Sequence, residues 1–362
     1  MDKPKKLKMN AKTFRIITAP IMVLFLIFAL ALSIITNYFT PSLNAFLGKG
    51  ARKATTPSGT SDWDTDYYDI TSTSSEDALN NSLKTSENIA DEGIVLLKNN
   101  GLLPLATEQT VTPFGYDYLN PMMSGSGSGS ADTTADYVYT AEKGINEAFS
   151  NVNSASVDAM KNGTVHETTP AAASGEGGAT AFLGSSTILN EYPAETYNGI
   201  EDSCKGTVGI VFLGRAGGEG GDLYAEAYDD GTPHQLALTD TERGVLDFAK
   251  KNCAGVVVVL NSCNTMQVGE LEDDPDIDAV ITMCTPGAVG FKSLGKILNG
   301  TVNPSGKTVD TFVADCTLTP TYVNFNKGDG ATSYSNASYT RDIWLSKFKG
   351  GPDFDARFRE YE

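Results

Sequence analysis

The first feature along the chain is an uncharged apolar run, Ile16 to Phe39, broken only by Thr18, Pro20, Ser33, Thr36, Asn37 and Tyr38. A helix of this length spans the roughly 30 Å hydrocarbon core of a bilayer. Residues 1–15 carry Lys3, Lys5, Lys6, Lys8, Lys12 and Arg15 against Asp2. The basic flank predicts a cytoplasmic N-terminus, a transmembrane anchor over 16–38 and an extracytoplasmic body. A cleaved signal peptide is the rival, but its apolar region is usually shorter and followed by a small-residue cleavage site, and no good site follows here. Residues 39–75 are rich in Ser, Thr, Asp and Gly and read as a linker.

From Glu76 the pattern changes. Leu79, Leu83, Ile89, Ala90, Ile94, Leu96 and Leu97 recur at helical intervals, with Lys98-Asn99-Asn100-Gly101 as the stop. Val111 to Phe114 reads as a short strand, and Thr140 to Phe149 as a helix. Residues 150–200 show little pattern and read as an irregular insertion. Then apolar runs alternate with helical stretches. Val208–Leu213, Val256–Leu260 and Ile277–Cys284 are continuous apolar runs, as in strands buried on both faces. Between them Thr239 and Glu242, at capping-box spacing, open a helix that ends near Asn252. Val289 to Leu298 is a further helix, stopped by Asn299-Gly300, and Lys307 to Phe312 a last strand. This alternation predicts an α/β fold: a three-layer α/β/α sandwich with a mostly parallel sheet, over residues 76–318. Residues 319–362 read as an irregular tail.

The net charge is −18, and since residues 1–15 are net positive by five, the rest carries −23. Such a body argues against nucleic acid as a partner and is compatible with a neutral ligand such as a sugar. The five cysteines (Cys204, Cys253, Cys263, Cys284 and Cys316) include no Cys-x-x-Cys pair and read as small buried hydrophobes. With only His166 and His234, no His-based metal cluster is expected, and no cofactor.

The stretch with most chemical promise is Gly214-Arg215-Ala216-Gly217-Gly218-Glu219-Gly220-Gly221-Asp222. It follows an apolar strand, and parallel strands of an open α/β sheet direct their carboxyl ends at the ligand crevice. Glycines around a single carboxylate, Glu219, would let that group approach a substrate. A flexible glycine loop with one solvated Glu is the simpler reading of the same residues. The second glycine stretch, Ser124 to Ser130, lacks the Lys-Ser/Thr ending of a phosphate loop and the spacing of a dinucleotide fingerprint.

Several segments, taken in order, resemble the α/β sandwich domain of glycoside hydrolase family 3, which includes β-glucosidases. Glu92-Gly93-Ile94-Val95-Leu96-Leu97-Lys98-Asn99-Asn100-Gly101 with Leu103-Pro104-Leu105 is similar to its opening motif. The Gly-Ser loop 124–130 resembles its first glycine-rich loop, and Gly217 to Asp222 its Gly-Glu-Gly-x-Asp loop. Gln235 with the following helix, Asn261-Ser262, Pro286-Gly287 and Asn303-Pro304-Ser305-Gly306-Lys307 resemble further family motifs. The resemblance implies retaining hydrolysis of O-glycosidic bonds, with Glu219 as general acid/base, Arg215 and Asp222 as substrate contacts, and a carbohydrate as the substrate. It implies that the nucleophile comes from a β/α barrel, a domain of about 250 residues. No stretch here has room for one, so a truncated or split enzyme with a separate barrel as partner is expected. Leu223 stands where the family often has Arg. Ser61-Asp62-Trp63 matches the family's nucleophile motif, but in a polar linker and as a coincidence of three residues. The competing expectations are a membrane-tethered non-catalytic carbohydrate-binding or interaction module, or another α/β ligand-binding domain.

Overall fold

The computed structural model describes residues 10–40, 44, 71–125, 132–171, 187–217, 223–224, 227–319 and 322. Two units separate within the chain, residues 1–71 and 72–362.

In the first unit, helix α1 spans Ala11–Tyr38, with the Asn10 side chain accepting a hydrogen bond from the Thr13 N–H as its N-cap. Its segment Lys12–Tyr38 has a mean hydropathy of 2.6 in its most apolar window and is long enough to cross a bilayer. Side chains such as Leu24, Phe25 and Leu26 face outward.

The second unit opens with α2, Ser75–Gly93, capped by Ser74. The helix stops earlier than the spacing of Leu96 and Leu97 predicts. Those residues lie instead in strand β1, Val95–Asn99. Val-Leu-Leu fits either periodicity, and the tertiary contact decides, because β1 pairs antiparallel with the last strand of the sheet. Asn99-Asn100-Gly101 therefore turns a strand rather than ending a helix. The Asn99 side chain accepts from the N–H groups of Gly101 and Leu103, and Gly101 takes φ +97°.

Strand β2 is Val111–Phe114, followed by α3, Ala141–Ala148, and α4, Ser154–Asn162. The stretch read as irregular thus contributes a helix, and also a two-stranded antiparallel ribbon, β3 (His166–Thr168) with β4 (Leu189–Glu191). Then come β5 (Val208–Arg215), α5 (Asp240–Asn252), β6 (Gly255–Ser262), β7 (Ala279–Thr282) and α6 (Gly290–Leu298). The main sheet runs β1-β7-β6-β5-β2, parallel except for β1 at one edge. It is the α/β, mostly parallel arrangement that the apolar runs predict. Residues 307–312 form no ladder; Val309 is 97% exposed, so that run had apolar residues but no strand to join.

Helices α2, α3 and α6 pack together on one face, while α4 and α5 lie against β2, β5 and β6 on the other. Every residue of β6 is buried, as expected for a strand covered on both sides. The first helical layer is close-packed at α3 and α6. A Cβ on Gly144 would meet the Phe291 carbonyl, and one on Gly295 the Gly144 carbonyl at 2.7 Å, so the two backbones touch through glycine. From the same helix, the Lys296 Nζ bonds to Glu87 at 2.9 Å and Asp91 at 2.5 Å on α2.

Candidate functional site

The parallel strands β2, β5, β6 and β7 all end at one edge of the sheet, where an open α/β fold has its ligand crevice. Arg215, the last residue of β5, leads into the loop that carries Glu219 and Asp222. Glu219 and Asp222 lie outside the described residues. Ala216, Gly217, Leu223 and Tyr224 are described, so the structure fixes how the loop leaves the sheet and how it returns.

Gln235 joins those two ends. Its Oε1 accepts from the Tyr224 N–H at 2.8 Å, its Nε2 donates to the Ala216 carbonyl at 3.4 Å, and its own N–H donates to the Tyr224 carbonyl at 2.9 Å. Gln235 is 2% exposed, so these bonds form away from competing water. A Gln suits the task because one amide is both donor and acceptor.

Arg215 is also 2% exposed. Its NH1 and NH2 groups hold Glu242 by a fork, at 2.6 and 2.9 Å, and also donate to the carbonyls of Gly214 and Ala237. Its Nε donates to the Gln235 carbonyl. All five guanidinium N–H groups are thereby used inside the protein. A direct contact between Arg215 and a sugar would break this set; in the structure Arg215 anchors the entry of the loop. Glu242 is aimed by its place at the start of α5. Its Oε2 accepts from the Thr239 N–H at 2.7 Å, and its own N–H donates to the Thr239 hydroxyl at 3.1 Å, completing the capping box.

Two more carboxyl groups lie beneath the same edge. Asp117, just past β2, is 5% exposed, and Glu191, at the end of β4, is 3% exposed. The Glu191 Oε1 accepts from the N–H groups of Tyr116 at 2.8 Å and Tyr192 at 2.7 Å. Asp117 occupies the space where a side chain on residue 214 would sit, which requires Gly214 in β5. Burial pushes the Asp117 carboxyl up to about 7, with the Glu242 charge adding; the Arg215 charge and the Gly214 N–H act the other way. Burial, again with the charge of Glu242, holds Glu191 well above the usual carboxylate range. For Arg215, burial alone would favour the neutral form, but the charge and hydrogen bonds of Glu242 outweigh it and hold the guanidinium protonated. One cation thus neutralises one carboxylate, and burial favours the protonated form of the other two.

Asn261, at the end of β6, ties the remaining loops to the edge. It accepts from the Met122 N–H at 2.7 Å and donates to the carbonyls of Met122 and Cys284 at 2.8 and 2.6 Å. Beside the returning end of the loop is an apolar pocket of about 240 Å³, lined by Leu223, Tyr224, His234, Leu236, Val313 and Tyr322. His234 is fully engaged there: Nδ1 accepts from the Leu236 N–H at 3.2 Å and Nε2 lies 3.2 Å from the Gln267 Oε1. Burial lowers its pKa, so the ring is neutral with its proton on Nε2. That occupancy leaves no nitrogen to activate a Ser nucleophile. Among the described residues no group of three or more His, Cys, Asp or Glu could hold a metal ion.

Of the residues that pattern alone singles out, Arg215 and Glu242 are brought together, and Gln235 joins them. Asp117 and Glu191 were invisible to pattern, because nothing in sequence marks an isolated carboxylate as buried. Ser61-Asp62-Trp63 and residues 126–131 lie outside the described residues.

The sequence profile of the glycosyl hydrolase family 3 C-terminal domain matches residues 94–347. A β-glucosidase of Ruminococcus albus is 29% identical over 250 residues, which are 69% of this chain and 25% of that protein. The β-glucosidase A of Butyrivibrio fibrisolvens is 26% identical over 279 residues, 71% of this chain and 31% of that protein. The chain therefore spans a quarter to a third of the length of these relatives. Among solved structures, a β-glucosidase from Paenibacillus barengoltzii superimposes with a TM-score of 0.52 at 26% identity, over 67% of this chain and 25% of that one. The β-glucosidase 3B of Thermotoga neapolitana shares the fold, with a TM-score of 0.52 at 19% identity over 68% of this chain and 33% of that one. An α/β sheet of this order, its carboxyl-edge loop fastened by Gln235, and a profile match over most of the chain lead to one conclusion: this protein belongs to glycosyl hydrolase family 3, of which it carries the C-terminal-type domain.

Proposed function

We propose that the chain supplies the acid/base half of a β-glucosidase-type active site. The supporting observation is the loop frame. The loop bearing Glu219 leaves the carboxyl end of β5 at the Arg215–Glu242 pair and returns at Tyr224, and Gln235 bonds both ends. Retaining hydrolysis needs two carboxyl groups about 5 Å apart, one as nucleophile and one as acid and then base. Glu219 takes the second role. The nucleophile belongs to a β/α barrel, either in the same polypeptide or as a partner, and the substrate is a β-linked glucoside or related glycoside. Glu219 needs a raised pKa to hold its proton near neutrality; burial against the barrel and the nucleophile's charge would provide it. Asp222 supports the loop or a sugar hydroxyl. Arg215 acts from below by fixing the loop's entry.

In the same reading α1 anchors the chain through residues 16–38, with the N-terminus cytoplasmic and the sandwich outside. Protease added to intact cells should then degrade the sandwich domain; complete protection would overturn the topology.

The catalytic test is a leaving-group comparison on the barrel-completed enzyme. A poor leaving group needs protonation, whereas an activated aryl-glycoside departs with little help. Glu219→Gln should lower kcat/KM by about 10²–10⁴-fold on the first substrate type and far less on the second, since that is the usual worth of general acid catalysis. Equal losses on both would remove Glu219 from the acid/base role.

A further inference from the structure

Four Asn-Gly pairs occur in the chain: Asn100-Gly101, Asn162-Gly163, Asn198-Gly199 and Asn299-Gly300. In such a pair the glycine nitrogen lies one residue beyond an amide that it can attack, and glycine has no Cβ to shield it. By local sequence the four are alike, and the structure separates them. Around three of them the side-chain amide is held and the glycine N–H donates to a neutral carbonyl oxygen. The Asn162 Nδ2 donates to the Asp158 carbonyl at 2.8 Å, and the Gly163 N–H to the Met160 carbonyl at 3.1 Å. The Asn299 Nδ2 donates to the Ala148 carbonyl at 3.2 Å, its Oδ1 accepts from the Thr301 N–H at 3.0 Å and hydroxyl at 2.7 Å, and the Gly300 N–H donates to the Ile297 carbonyl at 3.2 Å. Asn100 is held less tightly, by the Ile277 carbonyl at 3.5 Å, and the Gly101 N–H donates to the Asn99 Oδ1 at 3.0 Å.

Asn198 differs. It is exposed, as is Gly199, and among the described residues none bonds to its side-chain amide. The Gly199 N–H donates to the Glu201 Oε2 at 2.8 Å. A carbonyl oxygen does not take up an amide proton, whereas a carboxylate is a base. The main chain at Asn198 is extended, with ψ 132°, so the glycine nitrogen reaches the amide by rotation about the Cα–C bond. Gly199, at φ +92°, gives the chain the freedom to follow.

We propose that Asn198 is a site of spontaneous deamidation, with Glu201 as the proton acceptor. In the first step the Gly199 nitrogen gives its proton to the Glu201 carboxylate and attacks the Asn198 Cγ. The new C–N bond forms, the Cγ–Nδ2 bond breaks, and the side-chain nitrogen takes that proton and leaves as ammonia. The product is a five-membered cyclic imide. In the second step a solvent water adds to one of the two imide carbonyls and the ring opens, giving aspartate or isoaspartate and releasing one proton. The sum is an amide and a water converted to a carboxylic acid and ammonia, with no change of oxidation state. The product places a new negative charge beside Glu201 and Asp202, and the isoaspartate form adds a methylene to the main chain. The preceding residue, Tyr197, is 0% exposed, and its hydroxyl accepts from the Gly115 N–H at 3.1 Å, just past β2. A longer main chain there pulls on that bond. This inference stands whether or not the glycosidase reading does.

The experiment ages the full chain in detergent, in mildly alkaline buffer made with heavy-oxygen water. Samples are digested and mapped by mass spectrometry with fragmentation that separates aspartate from isoaspartate. Asn198 should gain an acid group carrying one heavy oxygen, largely as isoaspartate, severalfold faster than Asn100, Asn162 or Asn299. In the urea-unfolded chain the four should convert at similar rates, because the fold sets the order. Glu201→Gln should slow Asn198 by roughly tenfold, less than the 10²–10⁴-fold of a water-shielded catalytic base because this turn is wet. An intact Asn198 while another of the four converts, the same order of rates in urea, or an unchanged rate in Glu201→Gln would overturn the proposal.

Discussion

The protein contains two Arg–Glu forks of nearly the same geometry in opposite surroundings. Arg215 holds Glu242 at 2.6 and 2.9 Å with both side chains almost wholly buried, 1% and 4% exposed. Arg243 holds Glu270 at 2.7 and 2.8 Å with 34% and 45% exposed. Geometry alone would rank them equal. Water separates them: the outer pair exchanges one set of partners for another, while the inner pair has no alternative once formed. Burial also spreads the influence of the inner fork, since Glu242 and Arg215 both bias the protons on Asp117, whereas in the outer fork Arg243 is held protonated by Glu270 and Asp240, the two carboxylates it touches.

The largest break in that comparison should come from Glu242→Ala. It leaves a guanidinium buried without its counter-charge and removes half of the α5 capping box. The expected loss is about 3–5 kcal/mol in urea denaturation. A loss below about 1 kcal/mol would mean that water reaches the inner fork.

The next effect is a pH dependence. The Asp117 carboxyl is raised from 3.8 to about 7 in the folded protein. Between those values the unfolded chain is ionised there while the folded one keeps its proton. The folded state therefore binds more protons, and stability falls as pH rises through the window. Asp117→Asn removes that slope. The stability difference between variant and wild type should move in the variant's favour by about 2–4 kcal/mol from pH 4 to pH 7, measured by paired denaturation curves. Parallel curves would show that Asp117 ionises freely.

A third test replaces the inner fork entirely. Arg215→Met with Glu242→Leu should recover most of what Glu242→Ala loses, leaving a deficit within roughly 2 kcal/mol, because apolar isosteres need no partner. The variant should still lose the grip on the loop's entry, visible as faster proteolysis between residues 216 and 224. If loop cleavage stays at the wild-type rate, the fork is a stability device alone.

The smallest effect is on the outer fork. Glu270→Ala should cost about 0.2–1 kcal/mol and the cost should shrink further in 1 M salt, where the screening length is about 3 Å. A salt-independent loss would mean that Glu270 does something other than pair with Arg243.

The contrast also explains what the sequence could reveal. Val208–Leu213 and Val256–Leu260 were legible because burial on both faces leaves a continuous apolar run, a local signal. The Thr239/Glu242 capping box was legible because its two members are three residues apart. The reach from Glu242 to Arg215 spans 27 residues and leaves no periodic trace. Leu96 and Leu97 fit a helix as well as a strand, and only pairing with β7 decides between them. Lys307–Phe312 had the composition of a strand, yet Val309 has no sheet to cover it. The candidate loop was found through its glycines and by resemblance. The buried carboxylates beneath it were not, since an Asp in a buried turn reads the same as one in water.

Gln235 has a consequence for how this edge can change over time. By bonding Ala216 on one side and Tyr224 on the other, it fixes the chord between two points and leaves the arc between them unconstrained by those bonds. The sandwich beneath need not be redesigned when the arc is. A change in the arc that spares Glu219 would leave that chord in place, so new reach or selectivity could be acquired there without touching its two ends.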